Sequence, residues 1–198
     1  MAKQIDLDKA YMKAAFAVAE LSYARRKKVG AVIVDGTGII AEGVNGTPSG
    51  MDNNCEDEKV LKHSLVMADA YGARCLRCDK KWTSQGLILN YGTVKYGFEQ
   101  VGQQICETEL TTRNTVIHAE LNAIYKIVRR TNSSEGTALY CTLAPCKACA
   151  IAIKQAGIKR VVYAEQYPYR NHNGPIRPVG LEFLLDAGIE VFHLPQEE

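Results

Sequence analysis

The chain has 198 residues, 46% hydrophobic and 23% charged, with a formal net charge of +2. That is enough for one compact domain with a good core, and too little basicity for a broad nucleic-acid face. The N-terminus shows no apolar h-region with a cleavage site, and runs such as "AAFAVAEL" and "VGAVIV" fall well short of the roughly 20 residues a membrane helix needs. A soluble, cytoplasmic protein with no membrane or nucleic-acid partner is predicted.

In chain order, residues 8–28 carry Tyr11, Met12, Ala15, Phe16, Ala19 and Tyr23 at helical spacing, with Asp6 or Asp8 to cap. The run "RRKK", Arg25 to Lys28, reads first as the cationic end of that helix and second as a phosphate contact. "VGAVIV", "DGTG" and "IIAEGV" read as a strand, a tight turn and the returning strand, followed by the loop "NGTPSG". From Cys55 to about Asn114 the pattern weakens. "EKVLKHSLVMADAYG" is compatible with a helix, and the rest has no clean period. We read 1–198 as a single domain carrying an insertion at 56–114. Order returns with a helix in "TVIHAELNAIYKIVRR", a strand in "ALYCTL" and a helix in "PCKACAIAIKQAG" with Gly157 closing it. The strand "IKRVVYAE", the helix "LEFLLDAG" and the strand "IEVFHLP" complete the chain. This order predicts a three-layer α/β/α fold, a mixed five-stranded sheet with helices on both faces.

Seven cysteines, an odd number without secretory context, point to metal ligands, catalytic thiols or buried small hydrophobes rather than disulfides. "HAE", His118 to Glu120, and "PCKAC", Pro145 to Cys149, open two helices at equivalent places, so both can face one point. A Cys-x-x-Cys alone is weak, since a redox pair shares it. His118, Cys146 and Cys149 are three ligands, one short of a closed structural zinc site, which is the count of a catalytic zinc centre with an open position. Residues two apart do not share a helix face, so His118 and Glu120 can serve one site only at the helix end. His-x-Glu followed by Pro-Cys-x-x-Cys is the signature of zinc nucleobase deaminases. A redox protein or a non-catalytic zinc module has no need of Glu120.

With these residues placed, the sequence resembles the cytidine deaminase-like superfamily, and within it the deoxycytidylate (dCMP) deaminases of phage and viral type. The matching pieces are "VGAVIV", "GVNGTPSG" followed by "CE", "HAELNAI", "TLAPCKACA" and "GIKRVVYAE". The resemblance implies hydrolysis of dCMP to dUMP and ammonia, feeding thymidylate synthesis. Water activated by zinc would attack cytosine C4, with Glu120 shuttling the proton. It also implies substrate contacts from Asn45, Ser49, Ala119, Tyr167 and Arg26. Ala144 stands where Ser or Glu is usual, which removes a polar group beside the ligands. A second, structural zinc would be drawn from Cys55, His63, Cys75, Cys78 and Cys106, against the alternative of free cysteines. The resemblance further implies a homohexamer, activation by dCTP with Mg2+ and inhibition by dTTP, with Arg129 and Arg130 at an interface or effector phosphate. Deaminases acting on tRNA adenosine, guanine or a riboflavin precursor share the same four site residues.

Overall fold

A computed structural model describes residues 3–62, 66–69, 72–75, 81–83, 107–130, 132–166, 170–171, 174–175 and 179–196. The chain divides into two compact units, Met1–Glu56 with Thr112–Glu198, and Asp57–Thr111.

The larger unit begins with α1 (Gln4–Ala19) and the antiparallel pair β1 (Gly30–Asp35) and β2 (Gly38–Val44). After the smaller unit come α2 (Ala119–Arg129), the strand Ala138–Leu143, a helix Lys147–Gln155 and the strand Arg160–Glu165. A short hairpin of Arg170–Asn171 and Gly174–Pro175, a helix Val179–Asp186 and the strand Glu190–His193 finish it. Five strands, β3 to β7, come between β2 and these, so these become β8, β9, β10, β11 and β12, and the helices α3 (147–155) and α4 (179–186). The main sheet has the order β12-β9-β8-β1-β2, antiparallel on either side of β1 and parallel among β8, β9 and β12. The expected mixed five-stranded sheet is therefore present.

Alternation along the strands divides the core. Val32, Val34, Tyr140, Val162 and Ala164 meet Met12 and Ala15 of α1 on one face. On the other, Ala31, Ile33, Leu139, Cys141 and Val161 meet Ala119, Ala123 and Ile127 of α2, Ala150 and Ile153 of α3, and Leu181 and Leu184 of α4. Two glycines allow backbone-close packing. A Cβ on Gly30 would strike the Ala15 carbonyl and the Ala19 nitrogen, and one on Gly43 would strike the Ala119 carbonyl and the Ala123 nitrogen. Because Gly30 pairs with Val44 and Ala31 with Gly43, both crossings lie at the same end of the sheet but on opposite faces.

On the α1 face, Arg160 donates to both oxygens of the buried Asp8, at 2.7 and 2.8 Å, and Tyr140 donates its hydroxyl to Asp8 at 2.8 Å. Burial pushes the Asp8 carboxyl up, but the hydrogen bonds from Arg160, Gln4 and Tyr140 outweigh it and hold the carboxyl below its ordinary value.

The helix expected over 8–28 ends at Ala19. Ser22 leaves the helical path because its hydroxyl donates to the Asn45 carbonyl and side chain at 2.7 and 2.8 Å, so "RRKK" is not a helix end but a loop. The smaller unit also departs from expectation. Over 58–72 it forms β3 (Glu56–Lys62), β4 (Val66–Asp69) and the start of β5 (Gly72–Cys75), not a helix. β3 pairs with β7 (Glu107–Thr112), a partner some fifty residues away, and β4, β5 and β6 (Lys81–Thr83) form their own sheet. Tertiary pairing there overrides local propensity. In the larger unit the chain departs and returns as neighbours, with the Arg113 N–H donating to the Cys55 carbonyl at 2.9 Å. No described helix is long and apolar enough to cross a membrane.

Candidate active site

Both helix starts use an unusual residue at the N-cap, where Ser, Thr, Asp or Asn normally caps. His118 caps α2 with extended geometry (φ −71, ψ 154) and Cys146 caps α3 likewise (φ −71, ψ 169), and neither side chain makes the usual capping hydrogen bond. Both are left to point at each other. His118 Nδ1 lies 3.6 Å from Cys146 Sγ and 3.3 Å from Cys149 Sγ. The three ligand atoms lie within 4.8 Å of one another, the only such group of three among the described residues.

The donor set fits zinc. Tetrahedral zinc with Zn–S of about 2.3 Å and Zn–N of about 2.1 Å gives an S···N edge of about 3.6 Å, close to the separations found. Cys149 is fully buried. A hydrogen bond from Cys149, with His118 beside it, brings the Cys146 thiol down to about 3. The same bond, then burial and the Glu120 charge, pushes the Cys149 thiol up. The proton shared between the two sulfurs is what a divalent cation displaces on binding. The imidazole of His118 is raised, first by its hydrogen bond to Cys146.

Glu120 lies in the first turn of α2, 3% exposed, beside Cys149. Burial raises its carboxyl above the ordinary range. A buried carboxyl at a positive helix end, next to a three-ligand metal cluster, is equipped to carry a proton to and from a substrate.

The supports of these two helix starts were not singled out by the sequence reading. Gly43 admits the first turn of α2. Asn122 donates to the Val44 carbonyl at 2.7 Å, and Gly46 and Ile117 exchange backbone hydrogen bonds at 3.1 and 2.8 Å. On the other side, a Cβ on Gly180 would fall on the Pro145 carbonyl, so α4 seats directly against the Cys146 turn. The Asn in "HAELN" and the isolated Gly in "PVG" were the available signals.

The expected substrate residues divide. Asn45 Oδ1 accepts from the Val29 N–H at 2.8 Å and from Ser22, while Nδ2 donates to the Lys27 carbonyl at 2.8 Å. The second Nδ2 hydrogen is the one through which its side chain could meet a ligand. Ala119 is fully buried, Ser49 is exposed in a turn, and Arg26 is exposed in the loop before β1. Arg129 is exposed at the end of α2, and Arg130 lies 3.9 Å from Glu42. Cys55 is buried, its thiol 3.6 Å from the Asn53 carbonyl, and Cys75 ends β5. Tyr167, His63, Cys78 and Cys106 lie outside the described residues.

Fold and site together define a zinc-binding nucleobase deaminase. Residues 5–165 match the family of the cytidine and deoxycytidylate deaminase zinc-binding region, and the chain belongs to that family. The deoxycytidylate deaminase of Enterobacteria phage T2 is 33% identical over 193 residues, spanning 93% of this chain and 90% of its own. That of Mycobacterium phage D29 is 29% identical over 81% of this chain and 96% of its own. The dCMP deaminase of cyanophage S-TIM5, crystallised with dCMP and dUMP, superposes with a TM-score of 0.63 at 28% identity, over 98% of this chain and 100% of that one.

Proposed function

We infer that this chain hydrolyses dCMP to dUMP and ammonia. The observation that carries the reading is the cluster of His118, Cys146 and Cys149 at two helix starts with the buried Glu120 beside it, in a chain 33% identical to a phage deoxycytidylate deaminase. The cyanophage relative was crystallised with both the nucleotide consumed and the nucleotide formed in that reaction.

His118, Cys146 and Cys149 would hold the zinc. Zinc, when bound, supplies the Lewis acidity that makes water a nucleophile near neutral pH. Glu120 takes a proton from the attacking water and delivers it to N3 of cytosine, then takes the proton of the hydroxyl newly added at C4 and passes it to the amine, which leaves as ammonia while C4 becomes a carbonyl. The buried setting of Glu120 suits this double role, since it disfavours a permanent charge on the carboxyl. The resemblance assigns Asn45 to the base and sugar, Tyr167, Ser49 and Arg26 to the phosphate end, and Ala119 to the substrate site. We read the chain as one cytoplasmic deaminase domain with an insertion at 56–114, stapled by a second zinc whose ligands are drawn from among Cys55, His63, Cys75, Cys78 and Cys106. The same reading extends to a homohexamer regulated by dCTP with Mg2+ and by dTTP, with Arg129 and Arg130 at the interface or effector.

The test is ammonia release from purified protein given dCMP, dCTP, cytidine and deoxycytidine separately, with zinc measured on the same sample. Turnover of dCMP above the others is expected. A zinc-loaded protein inactive on all four, with and without dCTP as activator, overturns the substrate. A zinc content near one per chain removes the second site.

A further inference from the structure

The chemistry above gives no role to the buried carboxylate of Glu56, beside the basic run that carries Arg26. Glu56 is 2% exposed. Its two oxygens accept the Arg25 N–H at 3.2 and 3.1 Å, and Oε1 also accepts the Arg26 N–H at 3.3 Å. Asn45 grips the same loop at Ser22, Lys27 and Val29. The loop between α1 and β1 is thus held at five residues by two side chains, from the two ends of the stretch 45–56.

The cations so displayed are not equivalent. Lys27 pairs with Glu165 at 2.6 Å, Lys28 with Glu20 at 3.1 Å, and Arg25 Nε lies 3.8 Å from Glu56. Arg26 Nη1 instead donates to the neutral hydroxyl of Thr112 at 3.3 Å. Among the described residues, Arg26 is the one cation of the four whose guanidinium or ammonium group no carboxylate matches. All four line an open cavity of about 840 Å³ together with Thr142 and Glu165. The Glu165 carbonyl accepts the Ala144 N–H at 2.8 Å, two residues before Cys146, so the cavity lies at the end of the sheet that carries the metal cluster.

We infer that Glu56 is the positioning residue for phosphate recognition: by holding the Arg25 and Arg26 N–H groups it fixes the Arg26 guanidinium for the 5′-phosphate of the substrate. This rests on the reading of the chain as a nucleotide deaminase. Both carboxylate oxygens are used, Oε1 by the two N–H groups and Oε2 by Arg25 alone. An amide whose oxygen keeps the Oε1 place would turn its NH2 toward the Arg25 N–H and loosen the loop. Glu56 touches neither substrate nor metal and acts through Arg26, so its signature is selective for the phosphate.

The experiment compares wild type, Glu56→Gln, Arg26→Ala and the double variant, full-length and zinc-loaded, on dCMP and on deoxycytidine. Glu56→Gln is expected to raise KM for dCMP about tenfold with a much smaller change in kcat, the scale of one charge-assisted contact. The preference for dCMP over deoxycytidine narrows by the same factor, and the double variant is no worse than Arg26→Ala alone. Equal losses on both substrates, or additive losses in the double variant, overturn the role of Glu56. If Glu56→Gln does not fold, Glu56→Asp keeps the charge at a shorter reach and is expected to give the same selective rise in KM. Wild type that favours dCMP with both Glu56 variants unchanged removes Glu56 alone, whereas wild type indifferent to the phosphate removes the nucleotide reading itself.

Discussion

α1 and α2 lie on opposite faces of one sheet and each crosses a strand at a glycine, yet they bring opposite helix ends to the same end of the sheet. α2 crosses Gly43 with its first turn, and α1 crosses Gly30 with its last. The α2 face therefore offers partial positive charge from a helix N-terminus, reinforced by the start of α3, and there the chain places two cysteines, a histidine and an acid. The α1 face offers a helix C-terminus, whose partial charge is negative, and the chain follows it with four consecutive cations. The backbone supplies the field for the metal cluster. On the α1 face the side chains must supply it.

On the α2 face, His118→Ala removes one of three ligands and is expected to abolish zinc binding and turnover together, read by metal analysis and ammonia release. Retention of stoichiometric zinc would place the metal elsewhere. Glu120→Ala is expected to keep zinc and lose about 10²–10⁴ in kcat, the usual reach of general acid–base catalysis. The two glycines then separate the faces. Gly43→Ala and Gly30→Ala should each destabilise by about 1–3 kcal/mol through overpacking. Gly43→Ala should also lower zinc affinity and kcat, whereas Gly30→Ala should act on KM. Identical kinetic profiles would show that the two faces are not functionally distinct.

The smallest effect concerns acid stability on the α1 face. The folded carboxyl of Asp8 is held below its unfolded value of about 3.9, so its contribution is present above that pH and disappears as pH falls through the lower folded value. The melting temperature of the wild type should drop more steeply below about pH 4 than that of Asp8→Asn. Parallel curves would mean that Arg160 and Tyr140 do not stabilise the ionised carboxylate.

Most of the sheet was legible because its strands are short, apolar and bounded by glycine: "VGAVIV", "ALYCTL" and "RVVYAE" each became a strand. The metal cluster was legible because its residue types are rare and their spacing is local to two helix starts. What escaped depends on contacts distant in sequence. The end of α1 is decided by Asn45 and Glu56, more than twenty residues on, and no periodicity within 8–28 announces them. The strand β3 is decided by β7. Gly43 and Gly180 matter for a carbonyl that lies against them, and only the fold brings it there.

The hydrogen bond between Arg113 and Cys55 has a bearing on how such a chain can change over time. Where a polypeptide departs and returns at bonded neighbours, the span between them can lengthen or shorten at little entropic cost, since closing a longer loop adds only slowly to the penalty. A gene encoding this protein can therefore gain, trim or exchange the segment 57–111 while the reading frame of the sheet and its two helix starts stays untouched. It is a natural graft point, and a fluorescent or affinity module spliced there is a practical way to use it.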